Sequence, residues 1–226
     1  MAVEIASSPL YIRLLPIAAW LGLVVAIAVG VNRSDRGSEA VRKVVHIGTG
    51  NVILLAWWLN IPAWVGVGAS ALASGVTLLS YWRPVLPVIN SVGRRSFGTC
   101  FYSLSIGVLI AIFWPLGYPE YAALGVLVMA WGDGMAALVG QRFGAHPYEL
   151  WGMKKSWEGS AAMALVSGVA SLAVLWAARG DFAAWPVAAA IAVLATALEA
   201  ISALGIDNLT VPLGSAIAAW QLGQLI

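Results

Sequence analysis

Residues 118–139, with the sequence YPEYAALGVLVMAWGDGMAALV, decide the fold class of this chain. Between Glu120 and Asp133 the stretch carries no charged residue, and about 20 apolar residues are enough for a helix to cross a bilayer. Seven further runs are also predominantly apolar: residues 10–31, 41–59, 62–82, 97–114, 157–178, 182–204 and 209–225. The pattern predicts an all-α, polytopic integral membrane protein with seven to eight transmembrane helices.

The composition of the chain supports this prediction. Of its 226 residues, 61% are hydrophobic and 10% are charged, whereas soluble domains have about 45–50% and about 25% respectively. A soluble domain could not bury so much apolar surface, and a disordered chain would hold far less of it. Eight spans of roughly 20 residues use most of the chain, so we predict a single membrane-embedded domain, residues 1–226.

Residue counts exclude several other classes. A lone cysteine, Cys100, excludes a disulfide framework and a cysteine-based zinc site. The formal net charge of +2 gives no reason to expect a nucleic-acid partner. Because Glu4 and no basic cluster precede the first apolar run, we expect neither a signal peptide nor a transit peptide.

The basic residues are distributed unevenly between the predicted loops. Ten of the twelve lysines and arginines lie in or beside the first, third and fifth loops: Arg33, Arg36, Arg42, Lys43, Arg83, Arg94, Arg95, Arg142, Lys154 and Lys155. Arg179 alone lies in an intervening loop. Since positive loops remain in the cytoplasm, these three loops are predicted to face it, with both termini on the other side.

Polar residues inside the spans are candidates for function, because each charge there costs about 2.5–3.5 kcal/mol on insertion scales. His46, Asp133 and Glu199 all lie in the cytoplasmic halves of their spans, and Asp207 and Asn208 precede the last span. Their convergence predicts one polar site that opens to the cytoplasm. Structural alternatives stay open for each: Glu199 could pair with a buried base such as His46, and His46 could be a hydrogen-bonded interior histidine.

A strip of small residues follows Asp133 at helical spacing, namely Ala137, Gly140 and Gly144. The strip could allow two helices to pack closely. It could equally leave room for a bulky ligand beside the carboxylate.

The fifth loop ends in Gly152-Met153-Lys154-Lys155-Ser156-Trp157-Glu158-Gly159-Ser160. Ser156 is a suitable N-cap for the next helix, and the helix amino terminus together with two lysines predicts a phosphate site. The lysines could instead be topological anchors. No Walker, zinc-protease or nucleophile-elbow motif occurs. Acids that can hold Mg²⁺, combined with bases that neutralise phosphates, favour phosphoryl transfer.

At these residues the chain resembles the CTP-dependent lipid-alcohol kinases, a family that includes phytol kinase, dolichol kinase and the CTP-using diacylglycerol kinase. The compact length is most similar to the phytol kinase branch. Four stretches carry the resemblance: Arg42-Lys43-x-x-His46, Gly132-Asp133-Gly134-x-Ala136-Ala137-x-x-Gly140-x-x-x-Gly144, Lys154-Lys155-Ser156-x-Glu158-Gly159-Ser160, and Asp207-Asn208-x-Thr210-x-Pro212.

The resemblance implies transfer of a phosphoryl group from CTP, with Mg²⁺, to phytol, in the salvage of phytol for tocopherol synthesis. UTP is an alternative donor. Geranylgeraniol, farnesol, dolichol or diacylglycerol are alternative acceptors. The oligomeric state stays open.

The resemblance also implies roles for individual residues. Asp133 and Asp207 would bind the metal, and Glu158 would ligate it or orient a lysine. His46, Glu199 or Asp207 would accept the hydroxyl proton. Ser96, Thr99 and Tyr102 would line the path of the alcohol. The nucleotide and its phosphates would contact Arg42, Lys43, Gly134, Gly140, Gly144, Lys154, Lys155, Ser156, Gly159 and Asn208.

Two other classes compete with a kinase. In a transporter coupled to protons or cations, Asp133, Glu199 and His46 would relay protons or bind the ion. Against it, no inverted pair of broken helices is evident. A structural membrane subunit would leave the acids unexplained.

Overall fold

A computed structural model describes residues 8–33, 38–82, 97–180 and 183–225. Arg36, Arg83, Arg94, Arg95 and Ser96 lie outside the described residues. The described chain is helical apart from its turns and one short hairpin, which confirms the all-α class. In chain order its elements are α1 (Leu10–Arg33), α2 (Ser38–Gly50), α3 (Val52–Trp58), α4 (Ala63–Trp82), α5 (Gly98–Phe113), α6 (Pro119–Leu127), a π-helical segment (Val128–Asp133), α7 (Gly134–Phe143), β1 (Pro147–Leu150), β2 (Met153–Ser156), α8 (Trp157–Arg179), α9 (Trp185–Ala200) and α10 (Asp207–Gly223).

Four rods are long and apolar enough to cross a membrane: α1, most of α4, the continuous Pro119–Phe143 rod and α8. The protein is therefore associated with a membrane. Helices α5 and α9 are apolar but shorter. Each of the eight predicted apolar runs overlaps one helix or several consecutive helical segments, but the number of helices that span the bilayer stays a prediction.

The rod Pro119–Phe143 forms the centre of the fold. It is 67% buried over its apolar window, against 11% for α1 and 11% for α4, which lie at the periphery. Helices α5, α8 and α10 pack around it. Since α6 is apolar on all sides and carries few large side chains, its neighbours can enclose it completely.

Two glycines beside Asp133 allow neighbouring helices to approach this rod. A Cβ at Gly132 would lie 2.7 Å from Met163 Sδ on α8, and a Cβ at Gly134 would lie 2.7 Å from Ile47 Cδ1 on α2. Both distances are shorter than real Cβ contacts, so a side chain at either position would force the Met163 or Ile47 side chain to move. The two glycines therefore allow α8 and α2 to pack closely against this helix on either side of Asp133 in the sequence.

The loop before α8 contains a two-stranded antiparallel hairpin that the sequence did not predict. Its turn residues, Trp151 (φ 48°) and Gly152 (φ 78°), both adopt the left-handed conformation. That combination belongs to the tight turns whose twist matches a hairpin. In the resulting register Lys154 lies opposite Glu149, and Lys155 lies opposite Tyr148.

Candidate active site

Asp133 lies at the end of the π-helical segment, inside the protein. Lys43 Nζ on α2 donates a hydrogen bond of 2.5 Å to Asp133 Oδ2 and lies 3.3 Å from the Asp133 carbonyl oxygen. The Lys43 side chain is only 2% exposed. π-Helical turns are rare in proteins, and those that do occur are often at functional sites. The pair is thus a buried ion pair, which is costly to form and still more costly to break.

His46 follows Lys43 by one turn and faces the same carboxylate. Its Nε2 atom lies 3.7 Å from Asp133 Oδ2 and has no hydrogen-bond partner within the described part of the chain. The Tyr102 ring packs on the imidazole with the centroids 4.1 Å apart, and its hydroxyl donates to the His46 carbonyl oxygen at 3.1 Å. The backbone of Met129 also hydrogen-bonds the ring. His46 is therefore held rigidly, with one nitrogen available for a proton.

Asp207, in the turn that precedes the last predicted span, belongs to the same cluster. Its Oδ1 atom accepts hydrogen bonds of 3.0 Å from the Asn208 backbone N–H and side-chain amide. Burial, and then the nearby charge of Asp133, raise the pKa of Asp207 above its usual value. Two acids that oppose each other's ionisation would be stabilised by a cation between them.

Arg42 interacts electrostatically with both Asp133 and Asp207. Its guanidinium binds Glu39 through two hydrogen bonds, of 2.8 and 2.6 Å. Although burial raises the pKa of Glu39, the hydrogen bond and charge of Arg42 hold it below its usual value. Because 40% of the Arg42 side chain is exposed, it could still reach an added phosphate.

The hairpin places its two lysines on opposite faces, as alternate residues of a strand must lie. Lys155 points inward and binds both the carboxylate and the carbonyl oxygen of Glu199 on α9. Lys154 is exposed. The two lysines, which the sequence treats alike, therefore differ: Lys155 is engaged within the protein, and Lys154 is accessible to a ligand.

Helix α8 begins with the predicted N-cap. Ser156 Oγ accepts a hydrogen bond of 3.1 Å from the Gly159 N–H, which confirms the cap. The Trp157 N–H donates to the His146 carbonyl oxygen at 3.1 Å. The Glu158 carboxylate contacts His146 Nδ1 at 2.6 Å. The amides of Trp157 and Gly159, which were expected to bind phosphate, are thus already hydrogen-bonded, so Lys154 supports the predicted phosphate site better than the helix terminus does.

The small-residue strip after Asp133 packs against the start of α8. A Cβ at Gly140 would lie 3.1 Å from Ser156 Oγ, and a Cβ at Gly144 would lie 3.0 Å from it. A Cβ at Gly159 would lie 3.4 Å from the Gly140 Cα. The geometry favours the helix-packing interpretation of these glycines. Their predicted contact with the nucleotide stays a prediction.

The residues that were expected to line the path of the alcohol differ in their exposure to solvent. Thr99 is exposed, whereas Tyr102 is buried against His46. Ser96 lies outside the described residues. Tyr102 therefore reaches the candidate site through its contacts with His46.

The donor set fits Mg²⁺. Within the described ranges, no group of three or more histidine, cysteine, aspartate or glutamate side chains is arranged to hold a metal ion. Mg²⁺, however, is commonly bound by one or two protein carboxylates together with substrate phosphates and water. Asp133 and Asp207, whose charges interact, are the candidate carboxylates for such a site.

Three contacts of the site were not predicted from the sequence: Lys43 with Asp133, Lys155 with Glu199, and His146 with Glu158. The first joins residues 90 positions apart. The structural alternative for Glu199 was a pair with a base such as His46, and the base that it contacts is Lys155. His46 lies 3.7 Å from Asp133, and Glu199 and Asp207 interact electrostatically with Asp133, while the opening of these residues to the cytoplasm as one site stays a prediction.

Comparison with known proteins gives three informative relatives. The chain is 51% identical to the phytol kinase of Synechocystis sp. over 214 residues, which are 94% of this chain and 92% of that protein. It is 31% identical to a chloroplastic farnesol kinase of Arabidopsis thaliana, covering 81% of this chain and 66% of that protein. It is 29% identical to the chloroplastic phytol kinase 1 of the same plant, covering 79% and 65%.

No family model and no solved structure matches the chain. Identity above one half along nearly the whole of both sequences is nevertheless decisive, and it confirms the resemblance that the four motifs indicated. The chain belongs to the phytol kinase family.

Proposed function

We propose that this protein phosphorylates phytol, with CTP as the phosphoryl donor and Mg²⁺ as the metal. The observation that carries the proposal is the buried cluster of Lys43, His46 and Asp133, to which Asp207 is electrostatically coupled. The carboxylates of this cluster would bind a metal ion, and its histidine would act as the proton acceptor. The similarity to a phytol kinase supports phytol as the acceptor.

Asp133 and Asp207 would hold Mg²⁺, which, when bound, neutralises charge on the donor phosphates. Lys43 keeps Asp133 ionised and fixes its orientation through the 2.5 Å hydrogen bond. Of the four bases predicted to contact the nucleotide, Lys43 and Lys155 are engaged within the protein, whereas Arg42 and Lys154 have exposed side chains and would bind the phosphates. Binding and orientation supply most of the catalysis in phosphoryl transfer.

His46 is our choice among the three candidate bases. Glu199 is engaged by Lys155, and Asp207 accepts hydrogen bonds from Asn208. His46 Nε2 has no partner among the described residues and lies close enough to Asp133 for the carboxylate to stabilise its protonated form. The alcohol oxygen would bond to the γ-phosphorus of CTP, its proton would pass to Nε2, and the bond to the β,γ-bridging oxygen would break to release CDP.

The site would open to the cytoplasm. The positive-inside distribution of lysine and arginine supports this orientation. The helix ends support a common side for these polar residues, since α8 and α10 begin, and α9 ends, beside Lys155, Asp207 and Glu199. A soluble nucleotide could then enter from the aqueous phase, and the alcohol from the bilayer.

The test is an assay of the purified protein with CTP labelled at the γ-phosphate, Mg²⁺ and phytol in detergent micelles. Labelled phytyl phosphate, dependent on both Mg²⁺ and protein, is expected. UTP and ATP should be compared as donors, and farnesol as an acceptor, because one relative is a farnesol kinase. A purified, folded protein that labels no alcohol with any donor would contradict the proposal.

A further inference from the structure

An apolar groove of about 630 Å³ lies on the membrane-facing side of α3, the π-helical segment and α8. Asn51 and Trp131 lie at one end of it, and Trp57 and Ala177 at the other. Its volume is in the range of about 300–1,000 Å³ that is usual for small-molecule sites. None of its lining residues belongs to the sites described above.

The groove begins close to the candidate active site, because Gly50, next to Asn51, packs against the Tyr102 hydroxyl, and the Tyr102 ring packs on His46. Trp131 precedes Asp133 by two residues in the π-helical segment, and its indole N–H donates a hydrogen bond of 3.0 Å to Asn51 Oδ1. The hydrogen bond places the polar atoms of Trp131 and Asn51 at the near end of the otherwise apolar groove. Both α3 and α8 lead away from the active site, so Trp57 and Ala177 lie at the end of the groove that is distant from it.

We propose that this groove binds the isoprenoid tail of the alcohol substrate and measures its length. The inference rests on the proposed function, which it deepens by assigning a tail site to residues of α3, the π-helical segment and α8. The hydroxyl end of the alcohol would lie near Asp133 and His46, and the tail would extend along α8 from Leu165 to Ala177, about 18 Å at 1.5 Å per residue.

Bilayer lipid is the competing occupant, and shape distinguishes the two. Inside a membrane the isoprenoid tail and a lipid acyl chain are equally apolar. Selective binding of the tail must therefore come from packing and not from the hydrophobic effect. Alanines at 170, 173 and 177 leave indentations along α8, beside the larger Leu165 and Val169. Such indentations suit the regularly spaced methyl branches of an isoprenoid better than a straight acyl chain.

The experiment places bulk at two depths of the groove and measures chain-length preference. Ala177→Trp fills the far end and Val169→Trp the middle. Val193→Trp on α9 is the control, because Val193 is an exposed aliphatic residue (70%) outside the groove. For each protein, kcat/KM is measured in micelles with geraniol, farnesol and phytol, which have successively longer chains, and KM is measured for CTP.

We expect Ala177→Trp to lower kcat/KM for phytol by about tenfold or more while sparing farnesol and geraniol. Val169→Trp should lower it for phytol and farnesol and spare geraniol. The KM for CTP should stay unchanged in both variants, and the control should match the wild type throughout. If a tryptophan prevents folding, Ala177→Leu and Val169→Phe are the milder pair with the same expected order.

An active variant whose chain-length preference equals that of the wild type would overturn the groove assignment, and would show that only bilayer lipid fills it. An equal loss with all three alcohols would overturn it as well. Both results leave the proposed function intact. Wild-type protein that phosphorylates none of the three alcohols would instead refute the proposed function.

Discussion

The two ends of α8 both carry basic residues, but the protein uses them differently. Beside its start, Lys155 binds Glu199, and Lys43 is buried against Asp133. At its end, Arg179 donates hydrogen bonds to the Tyr121 hydroxyl at 3.1 Å and to the Gly223 carbonyl oxygen at 2.8 Å. One end therefore assembles coupled charges, and the other ties three helices together through neutral oxygens.

The difference teaches that a basic residue near a membrane helix has to be judged by its partners. A lysine held against a buried acid leaves the acid ionised and oriented, which a phosphoryl-transfer site requires. An arginine bonded to a phenol and a backbone carbonyl contributes stability and position. Substitution of Asp133 or His46 should consequently lower activity most, whereas substitution of Arg179 should chiefly lower stability.

The largest effect on activity should follow Asp133→Asn, beside the start of α8. The change keeps the shape of the side chain but removes the charge that would bind the metal. We expect turnover to fall by about 10³-fold, the upper range for removing a group that stabilises transition-state charge. Initial rates on matched amounts of folded protein, with Mg²⁺ varied, would measure it. Near-normal turnover would make Asp133 a packing residue.

Folding has to be separated from chemistry in this variant, because Lys43 would be left as a buried charge without its partner. Breaking a buried pair costs about 3–5 kcal/mol. The double variant Lys43→Met, Asp133→Asn removes both charges, so it should recover stability while remaining inactive. A double variant that recovered activity would exclude a role for Asp133 in binding the metal.

The next effect in size should follow His46→Gln. Glutamine retains hydrogen-bonding groups but cannot accept the alcohol proton, so kcat should fall by about 10²-fold. The variant should also lose the decline in rate at low pH that a histidine base produces. Tyr102→Phe is the matched control, because it keeps the ring against His46 and removes only the hydroxyl bonded to the His46 carbonyl oxygen.

An intermediate effect should distinguish the two hairpin lysines. Lys154→Ala should lower kcat/KM for CTP by about ten- to a hundredfold, since a charge-assisted hydrogen bond is worth about 1.5–3 kcal/mol. Its stability and its KM for phytol should not change. Lys155→Ala should chiefly lower stability, because Glu199 loses its partner.

Thermal unfolding and steady-state kinetics on both lysine variants would test this difference. Glu199→Gln is the control for Lys155→Ala, since it weakens the same pair from the other side. If Lys154→Ala kept full efficiency with CTP, the phosphates would have to bind elsewhere.

Features that depend on neighbouring residues could be predicted from the sequence, whereas contacts between residues far apart in the chain could not. Helix α8 was predicted as residues 157–178 and ends at Arg179, because an apolar run and the N-cap Ser156 are local signals. The partners of Asp133 could not be predicted, since Lys43 is 90 residues away and reaches it only through helix packing. Gly132 and Gly134 were the available signal, as each makes room for a neighbouring helix.

The hairpin was missed for a different reason. Its strands have four residues each, too few for an alternating pattern to stand out. Its turn places Trp151 rather than the usual asparagine or aspartate in a left-handed conformation, and Gly152 was the single conventional turn residue. The opposite orientations of Lys154 and Lys155 follow from that strand pairing, so they could not be inferred either.

The smallest effect on activity should follow substitution at the far end of α8. Arg179→Cys, in a Cys100→Ser background, removes hydrogen bonds to Tyr121 and Gly223, each worth about 1 kcal/mol. The melting temperature should fall by a few degrees, while kcat and both KM values stay within twofold of the wild type. Helix α8 is about 34 Å long at 1.5 Å per residue, enough to cross a bilayer core of about 30 Å. A membrane-impermeant thiol reagent should therefore label Cys at 179 from the side opposite to that from which it labels Lys154→Cys. Labelling of both from the same side, or a loss of turnover as large as that of Asp133→Asn, would abolish the distinction between the two ends.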